Sequence, residues 1–526
     1  MTTQAISPVL SERPARSSFV LLALITGAIV ANINLGIANV ALPTIGHDLG
    51  ATQDQLTNIA DAFALGLAST VLYLGALGDR YGRKLMFVIG AVLTVPTSMM
   101  AAWAPNAETL TIARFLCGLS AAFLFPTTLS LIGSLYRGGA QVSAIALWSG
   151  IGGGVAAVGP VLGGWLLENY WWGSVFLVTL PLDLLALIVG LLVLPWRSSE
   201  ERFKVDHLGG LLSIIGVGGL VLTIERADQG LSPSLLALMA ISALALVAFF
   251  WRQTKAPRPL VVLPLARART FWVAFVAGAI TFGSLIGAMF VGQQFTQNVL
   301  GYGTLNAAMV VLPAAFMTAI GGQLAGRVIA RRGSRTSFMI GLSAVAVAFA
   351  VMLVTWRSGA SVWWVLGVYA LVGTGVGFAA TPASHSLMAS VPAKNAGMGS
   401  AFLDLTRDFG GAILQALMGA LLAGAYAASL TKAFDGLPAS EASQLSDSAA
   451  QQITSSYAGA AEIASSYPQA QATELMAAAS QAFTEGKSLA ISAALVLTLI
   501  ALGTVAWVFP RKADELAYYA AVQGKG

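Results

Sequence analysis

Charged residues and cysteine are both scarce in this sequence. Lys, Arg, Asp and Glu make up 10% of the 526 residues, whereas a soluble globular domain carries roughly 25%. This composition excludes a string of soluble domains, because so few charges cannot cover a water-exposed surface. Cys117 is the only cysteine, so no intrachain disulfide can form and cysteine use does not indicate the redox compartment.

Residues suited to metal or enzyme chemistry are also sparse. The three histidines, His47, His207 and His385, lie on different segments and predict no metal site. No nucleophile–base set is evident, and the glycine-rich stretch GIGGGVAAVG lies in an apolar run with no strand before it, unlike a nucleotide-binding loop. The net charge of +5 is weak evidence for nucleic-acid binding. The sequence therefore predicts no enzyme activity, no cofactor and no nucleic-acid partner.

Apolar residues are abundant along the whole chain. They make up 57% of it, and the mean hydropathy is +0.78, which indicates an all-α polytopic membrane protein. A helix needs about 20 apolar residues to cross a bilayer. Fourteen runs of that kind predict fourteen spans, at about 19–43, 57–78, 85–104, 108–132, 141–166, 173–195, 208–225, 233–251, 270–293, 304–327, 336–355, 363–386, 396–428 and 488–510.

The basic residues predict the orientation of these spans. If the N-terminus is cytoplasmic, 22 of the 28 Lys and Arg residues fall on the cytoplasmic side, as the positive-inside rule expects. Only Arg226, Arg357, Lys432 and Lys487 fall on the other side. No small-residue cleavage site follows the first apolar run, so we expect a retained span, not a signal peptide. Both termini are predicted to be cytoplasmic.

One predicted outer segment, residues 429–487, is much longer than the others. It is rich in Ala, Ser and Gln, and it contains helix-forming stretches such as ATELMAAASQAF. We expect a partly helical loop that lies on the membrane or caps the outer mouth of the bundle. A gating or partner-binding role is the alternative.

An internal repeat indicates two corresponding halves. GALGDRYGRK, from Gly75 to Lys84, follows span 2, and GQLAGRVIARRGSR, from Gly322 to Arg335, follows span 10. The match predicts six-helix bundles at 19–195 and 270–510, with an inserted hairpin at 208–251 and cytoplasmic tails at 1–18 and 511–526. Repeated bundles are the architecture of secondary transporters, whose site lies near the midplane between the halves.

These motifs resemble the major facilitator superfamily, specifically its fourteen-helix drug:proton antiporter branch, over nearly the whole chain. Further motifs similar to that branch are NVALPTI at the end of span 1, ARFLCGLSAA in span 4, GPVLGG in span 5, DHLG before span 7 and LTRDFGG in span 13. The resemblance implies a gate motif and an antiporter motif. The gate motif comprises Gly75, Asp79, Arg80, Gly82 and Arg83, and the antiporter motif comprises Gly159, Pro160, Gly163 and Gly164. Close helix packing is the alternative role for these glycines, and fixing topology is the alternative for the gate loop.

Charged side chains within the spans are the strongest indication of a functional site, because each is costly in a bilayer unless it is paired or solvated. Asp404 and Asp408 are four residues apart and share a helix face, with Arg407 beside them to neutralise one of the two. The candidates for proton coupling are Asp61, Arg114, Asp183, Asp404, Arg407 and Asp408. The resemblance links Arg114 in particular to proton coupling.

Span 1 departs from the branch. The aspartate that the branch carries five residues before the asparagine of NVALP is replaced by Asn34, and an amide cannot carry a proton. We therefore expect Asp61 to take over coupling in this half, with its pKa raised by desolvation and lowered by Arg114. The alternatives are a static Asp61–Arg114 ion pair and an interfacial position for Asp61.

Polar and aromatic residues of several spans are predicted to line a substrate cavity suited to flat lipophilic cations. They are Asn32, Asn34, Phe63, Trp148, Phe290, Gln293 and Gln294. The leading prediction is a proton-coupled exporter of amphipathic, mostly cationic compounds, monomeric and located in a bacterial inner membrane. An exporter of lipids or neutral amphiphiles and a non-transporting receptor are the alternatives.

Overall fold

The computed structural model describes residues 14, 16–156, 158–196, 205–226, 232–435 and 447–523. Within these residues, the regular elements are all helices. Several cations used above to predict the orientation, among them Arg13, Arg197, Arg202, Lys204 and Lys525, lie outside the described residues.

The first half of the chain contains ten helices among the described residues. They are α1 (Ser17–Leu49), α2 (Gln53–Tyr81), α3 (Arg83–Ala102), α4 (Ala107–Leu135), α5 (Gly139–Ala156), α6 (Val158–Asn169), α7 (Ser174–Leu177), α8 (Leu180–Val193), α9 (His207–Glu225) and α10 (Pro233–Lys255).

The second half begins with a short helix before its spans. Its helices are α11 (Leu263–Ala266), α12 (Arg269–Gln294), α13 (Thr304–Met309), α14 (Leu312–Arg332), α15 (Ser334–Thr355), α16 (Val362–Ala389), α17 (Ala396–Asp435), α18 (Asp447–Ser455), α19 (Tyr457–Ala464), α20 (Gln469–Val508) and α21 (Lys512–Gln523). A π-helical turn, Phe295–Val299, extends α12, and a 3₁₀ turn, Ala393–Asn395, precedes α17.

Thirteen segments of the described chain are long and apolar enough to cross a membrane. They coincide with thirteen of the fourteen predicted spans. The fifth predicted span, 141–166, is helical wherever the structure describes it, as α5 and α6, and residue 157 between them lies outside the described residues. The chain is thus an all-α polytopic membrane protein.

Exposed aromatic side chains form two belts, one at each end of the helices. Trp103, Trp171 and Trp363 are exposed at one end, and Trp196 and Trp507 are exposed at the other. Such belts mark the two membrane–water interfaces. We call the end that carries the loop between α2 and α3 the basic end, because most of the Lys and Arg residues lie next to the helix termini there. The other end is called the opposite end.

The predicted outer loop, 429–487, is largely helical where the structure describes it. α17 continues to Asp435, and α20 begins at Gln469, well before the predicted start of span 14 at residue 488. The Tyr426 hydroxyl donates to the Ile453 carbonyl at 3.2 Å, and the rings of Tyr457 and Phe483 meet edge to face at 6.2 Å. The Ala-rich composition explains the helices, since Ala is the best helix former. Residues 436–446 lie outside the described residues.

The hairpin of α9 and α10 packs beside α2. The Tyr73 hydroxyl lies 2.7 Å from His207 Nδ1, and Arg252 Nε donates to Asp206 Oδ1 at 2.7 Å, which joins the beginning of α9 to the end of α10. Asp206 also caps α9 by accepting from the Gly209 N–H at 3.0 Å. The hairpin is thereby fixed to the first bundle at the basic end. Its status as a separate insertion stays a prediction.

Candidate functional site

A polar contact at the basic end joins the two halves of the chain. The Asp79 carboxylate, in the last turn of α2, accepts from the backbone N–H of Gly397 at 3.0 Å to each oxygen. Gly397 lies in the first turn of α17, where free N–H groups and the helix dipole favour an anion. Arg83 Nη2 donates to Asp79 at 2.8 Å and to the Ala393 carbonyl at 2.5 Å. We call these four residues the Asp79 contact.

The other gate-motif residues have different positions. Gly75 allows α2 and α17 to touch, because a Cβ there would lie 2.8 Å from the Gly397 oxygen. Gly82 has φ = 114° and reverses the chain between α2 and α3, a conformation that glycine adopts readily. Arg80 stays outside the Asp79 contact, with its guanidinium 4.9 Å from the centre of the Tyr81 ring.

The antiporter-motif glycines pack α6 against α1. A Cβ at Gly159 would lie 3.3 Å from the Ile33 oxygen, and one at Gly163 would lie 3.0 Å from the Ile37 side chain. Gly164 is half-buried on the same helix, and the side chain of Pro160 lies outside what the structure describes. This geometry is the close helix packing that small residues permit. A role in exchange stays a prediction.

A small cavity lies near the middle of the bundle, between the two halves. Its volume is about 10 Å³, roughly enough for one water molecule. α1, α2 and α4 line it on one side and α17 lines it on the other. The lining residues are Ala31, Asn32, Leu67, Phe125, Asp404, Arg407 and Asp408.

The charged groups of this cavity have different hydrogen-bond partners. Arg407 Nη2 donates to Asn32 Oδ1 on the other half of the chain, and its guanidinium lies 4.7 Å from the centre of the Phe125 ring. Asp404 Oδ2 and Asp408 Oδ2 are buried, and neither accepts a hydrogen bond from any described residue. The cavity therefore places two acidic groups beside one cation whose hydrogen bond goes to the other half of the chain.

Arg114 occupies a separate position in the first half. It is fully buried, and it donates to the Asn34 carbonyl at 3.1 Å and to the Ile59 carbonyl at 3.4 Å. Phe63 lies beneath it, with the ring centre 4.8 Å from the guanidinium carbon. About 11 residues along α4, or roughly 16 Å, separate Arg114 from Phe125. Backbone carbonyls thus supply the described hydrogen bonds of Arg114, and Asp61 does not.

Asp61 and Asp183 both lie outside the central cavity. Asp61 is half-buried in the third turn of α2, between the cavity and the opposite end. Asp183 is 0% exposed in the first turn of α8, and neither of its carboxylate oxygens has a hydrogen-bond partner among the described residues. A buried carboxylate without partners is strongly disfavoured as an ion. Their predicted roles in coupling stay predictions.

Most of the predicted substrate-cavity residues lie elsewhere. Asn34 Nδ2 donates to Thr179 Oγ1 at 3.0 Å inside the first bundle, and Trp148 Nε1 donates to Thr128 Oγ1 at 2.9 Å. Phe290 packs within the second half, where a Cβ at Gly419 would lie 3.5 Å from its ring. Gln293 and Gln294 are half-buried at the end of α12. Of the seven, only Asn32 lines the central cavity.

Phe125 is the cavity residue that the sequence did not single out. It lies between the Arg407 guanidinium and the Trp148 ring, whose centre is 5.2 Å from its own. Trp148 therefore supports the cavity wall from behind. The sequence offered one weak signal for Phe125, its position before Pro126 within an apolar span. Many other aromatic residues also lie within apolar spans.

Comparison with known proteins identifies the family of this chain. The profile of the Major Facilitator Superfamily matches residues 24–415. The chain belongs to this superfamily.

Several relatives match over nearly their full length. The multidrug efflux pump LfrA of Mycolicibacterium smegmatis is 31% identical over 507 residues, which cover 96% of this chain and 99% of the relative. The methyl viologen resistance protein SmvA of Salmonella typhimurium is 30% identical over 476 residues, covering 90% and 94%. The drug efflux pump JefA of Mycobacterium tuberculosis is 29% identical over 504 residues, covering 94% and 99%.

Proposed function

We propose that this protein is a secondary active exporter of small amphipathic cations, driven by proton influx through alternating access. The observation that carries the proposal is the central cavity, where two buried carboxylate oxygens without partners meet a cation held by the other half of the chain. The names of the relatives, which are efflux pumps and a methyl viologen resistance protein, support the same substrate class.

Competition for the carboxylates supplies the coupling. Asp404 and Asp408 are stable in this closed cavity when they are protonated, because an uncompensated anion is costly in an apolar interior. Deprotonation creates a negative charge that either a cationic substrate or Arg407 can neutralise. A proton and a substrate cation then exclude each other, which is sufficient for antiport.

Arg407 connects this charge change to movement of the two halves. In the protonated state its guanidinium bonds Asn32 and so joins α17 to α1. Once a carboxylate ionises, the guanidinium has a stronger partner on its own helix, because hydrogen bonds between charged groups are roughly twice as strong as neutral ones. The contact with Asn32 is then released and the halves separate. Asp61 and Asp183 are secondary candidates for this role.

We propose that the protein lies in the plasma membrane of a bacterium, with its basic end and both termini facing the cytoplasm. The positive-inside rule supports this orientation, and the relatives named above are bacterial. The Asp79 contact then closes the cytoplasmic side in the present conformation. The cavity has room for about one water and therefore none for a substrate in this conformation. We also propose that the protein works as a monomer.

The test is proton flux in proteoliposomes with an imposed pH gradient, using ethidium as the substrate probe. We expect ethidium to collapse the gradient with the unmodified protein. Asp404→Asn and Asp408→Asn should each slow this collapse about tenfold or more, because a neutral amide can neither bind the proton nor attract the cation. Asp48→Asn, which removes an exposed carboxylate outside the cavity, is the matched control and should leave the rate unchanged.

Two results would contradict the proposal. If no lipophilic cation collapses the gradient, the protein does not exchange cations for protons. If both cavity variants retain full collapse while Asp61→Asn or Asp183→Asn abolishes it, coupling lies in the first half. Asn32→Ala separates proton binding from the movement of the two halves. We expect this variant to bind protons normally but to leak protons in the absence of substrate.

A further inference from the structure

The end of the molecule opposite the basic end carries very few cations, yet two of them meet in one pocket. Arg226, Arg357, Lys432 and Lys487 are the four Lys and Arg residues assigned to that side from the sequence. Arg357 and Lys487 both line a pocket of about 540 Å³ between the end of α15, the turn that follows it and the middle of α20. The cavity proposed for transport does not involve this pocket.

Lys487 is unusual among the residues of this pocket because it is a cation that is 0% exposed. Its amino group donates to the Trp356 carbonyl and lies 5.5 Å from the centre of the Phe295 ring. An ammonium has three N–H donors, and this is the only hydrogen bond it makes to the described residues. No described carboxylate lies within ion-pair distance of it. Its charge is therefore neutralised by nothing that the structure describes.

Arg357 adds a second positive charge to the same pocket. It is exposed, and it forms no ion pair with the described residues. Two like charges that converge without an acid between them repel each other, and this repulsion is relieved when an anion binds between them. Glu485, the nearest acid along α20, accepts from Gln481 at 3.2 Å and does not line the pocket.

The rest of the lining suits a hydrogen-bonded anion. Ser358, Gln481, Thr484 and Ser488 border the pocket with hydroxyl or amide groups, and Leu353 adds an apolar wall. A phosphate group accepts hydrogen bonds from both guanidinium and ammonium donors. The chemistry of the pocket therefore fits a phosphate ester that carries an apolar part.

The depth of the pocket identifies the source of that phosphate. Trp363 and Trp364 are 76% and 54% exposed at the start of α16, immediately after the turn that carries Arg357. Exposed tryptophans of this kind lie at the level of the lipid headgroups. We propose that Arg357 binds the phosphate of an anionic phospholipid headgroup at this surface of the membrane, and that the buried ammonium of Lys487 adds a second positive charge behind it. This inference does not depend on the proposed transport function.

The experiment is a lipid titration of the purified protein in maltoside micelles, followed by its apparent melting temperature. Phosphatidylglycerol is the probe, and phosphatidylcholine and inorganic phosphate at matched ionic strength are the comparators. We expect phosphatidylglycerol alone to stabilise the protein. Arg357→Gln should weaken its apparent affinity about five-fold, which is the effect of one cation at a membrane surface. Lys432→Gln removes an exposed cation at the same end outside the pocket and should change nothing.

Two results would overturn the inference. Equal stabilisation by inorganic phosphate would identify a site for soluble anions and overturn the assignment to lipid. An Arg357→Gln response identical to that of Lys432→Gln would overturn the site itself. Arg357 is exposed, so its replacement does not threaten folding. Lys487→Gln, which retains a donor for the Trp356 carbonyl, should lower the affinity further if the variant folds.

Discussion

Two of the places where the halves of the chain touch through glycine show a similar close backbone approach but different chemistry. At the first, α2 meets α17, and a Cβ at Gly75 would lie 2.8 Å from the Gly397 oxygen. At the second, α14 meets α5, and a Cβ at Gly322 would lie 2.9 Å from the Gly150 Cα. Gly75 and Gly322 are the first residues of the repeated motif, so these contacts correspond.

The difference lies four residues further along the motif. Asp79 in the first copy corresponds to Gly326 in the second, and a Cβ at Gly326 would lie 2.9 Å from Ala146 Cβ. A carboxylate has no room there. The first contact is therefore strengthened by an ion pair and by bonds to a helix N-terminus, whereas beside the second the described residues supply the neutral hydrogen bond from Ser149 Oγ to Ser384 Oγ at 3.0 Å. The two similar motifs thus share the close approach of the helices and not the charge.

The turn after α14 is stabilised from within its own half instead. Lys512 Nζ, in α21, donates to the carbonyls of Ala330 and Arg331 at 2.8 and 3.1 Å. Glu515 Oε2 accepts from the Ser334 N–H at 3.0 Å, at the start of α15. These bonds satisfy backbone groups at the ends of two helices. They do not cross between halves, so they can persist while the halves move.

The largest effect is expected from removing the charge that makes the first contact different. Asp79→Asn leaves Arg83, which is 1% exposed, as a buried cation without its carboxylate, and such a loss costs about 3–5 kcal/mol. We expect a lower apparent melting temperature and an opened basic end. The measurement is maleimide labelling of Ser400→Cys, a buried position on α17, in a Cys117→Ser background.

The control for this prediction is Asp48→Asn, an exposed carboxylate at the opposite end. Ser400→Cys should be labelled at the same rate with Asp48→Asn as in the protein that keeps both Asp48 and Asp79. Unchanged labelling in Asp79→Asn would mean that glycine packing alone keeps the basic end closed, and the contrast between the two contacts would lose its significance.

A smaller effect is expected when the shared feature is changed. Gly75→Ala and Gly322→Ala each force a methyl group against the backbone of the other half, and overpacking of this kind costs roughly 1–3 kcal/mol. We expect similar losses of thermal stability in the two variants, measured side by side in detergent. Gly424→Ala, with no atom within 4 Å of the added Cβ, is the control. A large loss in one variant and none in the other would contradict the correspondence.

The smallest effect concerns Glu515 and depends on pH. Burial raises the pKa of the Glu515 carboxyl above its usual value of 4.5, against the lowering effects of its bonds to Ser334 and of Lys512. The folded form therefore binds its proton more tightly than the unfolded form, and stability falls as pH rises from the usual glutamate range through the raised pKa. Hydrogen exchange of α21, corrected for the intrinsic rate, should quicken over that range.

Glu515→Gln should remove this pH dependence, because the amide stays neutral and its oxygen can still accept from Ser334. Asp514→Asn, at an exposed neighbouring carboxylate on the same helix, should retain it. If the exchange rate of α21 still depends on pH in Glu515→Gln, a different titrating group is responsible for that dependence.

Much of the fold could be predicted because membrane spans are encoded locally. Hydrophobic length predicted most spans to within several residues, whereas the last begins at Gln469, well before its predicted start at residue 488. The outer segment was predicted as a loop because its composition is too polar to span. Its helices α18 and α19 pack on the second half through contacts such as those of Tyr426 with Ile453 and of Tyr457 with Phe483. A hydropathy profile does not indicate such contacts.

The candidate site was predictable only in part. Asp404, Arg407 and Asp408 were singled out because charges are rare in spans, and they do line one cavity. Their partners were not predictable, since Asn32 and Phe125 are separated from them by more than 270 residues of sequence. Asn34 and Trp148 were chosen by the same reasoning as Asn32, yet they hydrogen-bond within the first half.

The sequence by itself determined that this is a polytopic helical membrane protein with a few costly charges within its spans. That information is local, because each helix must satisfy its own backbone and span the bilayer with its own residues. Only the tertiary structure decided which charges meet. Whether Arg407 bonds an acid on its own helix or Asn32 on the other half depends on how the bundles pack, and packing joins residues that no local pattern relates.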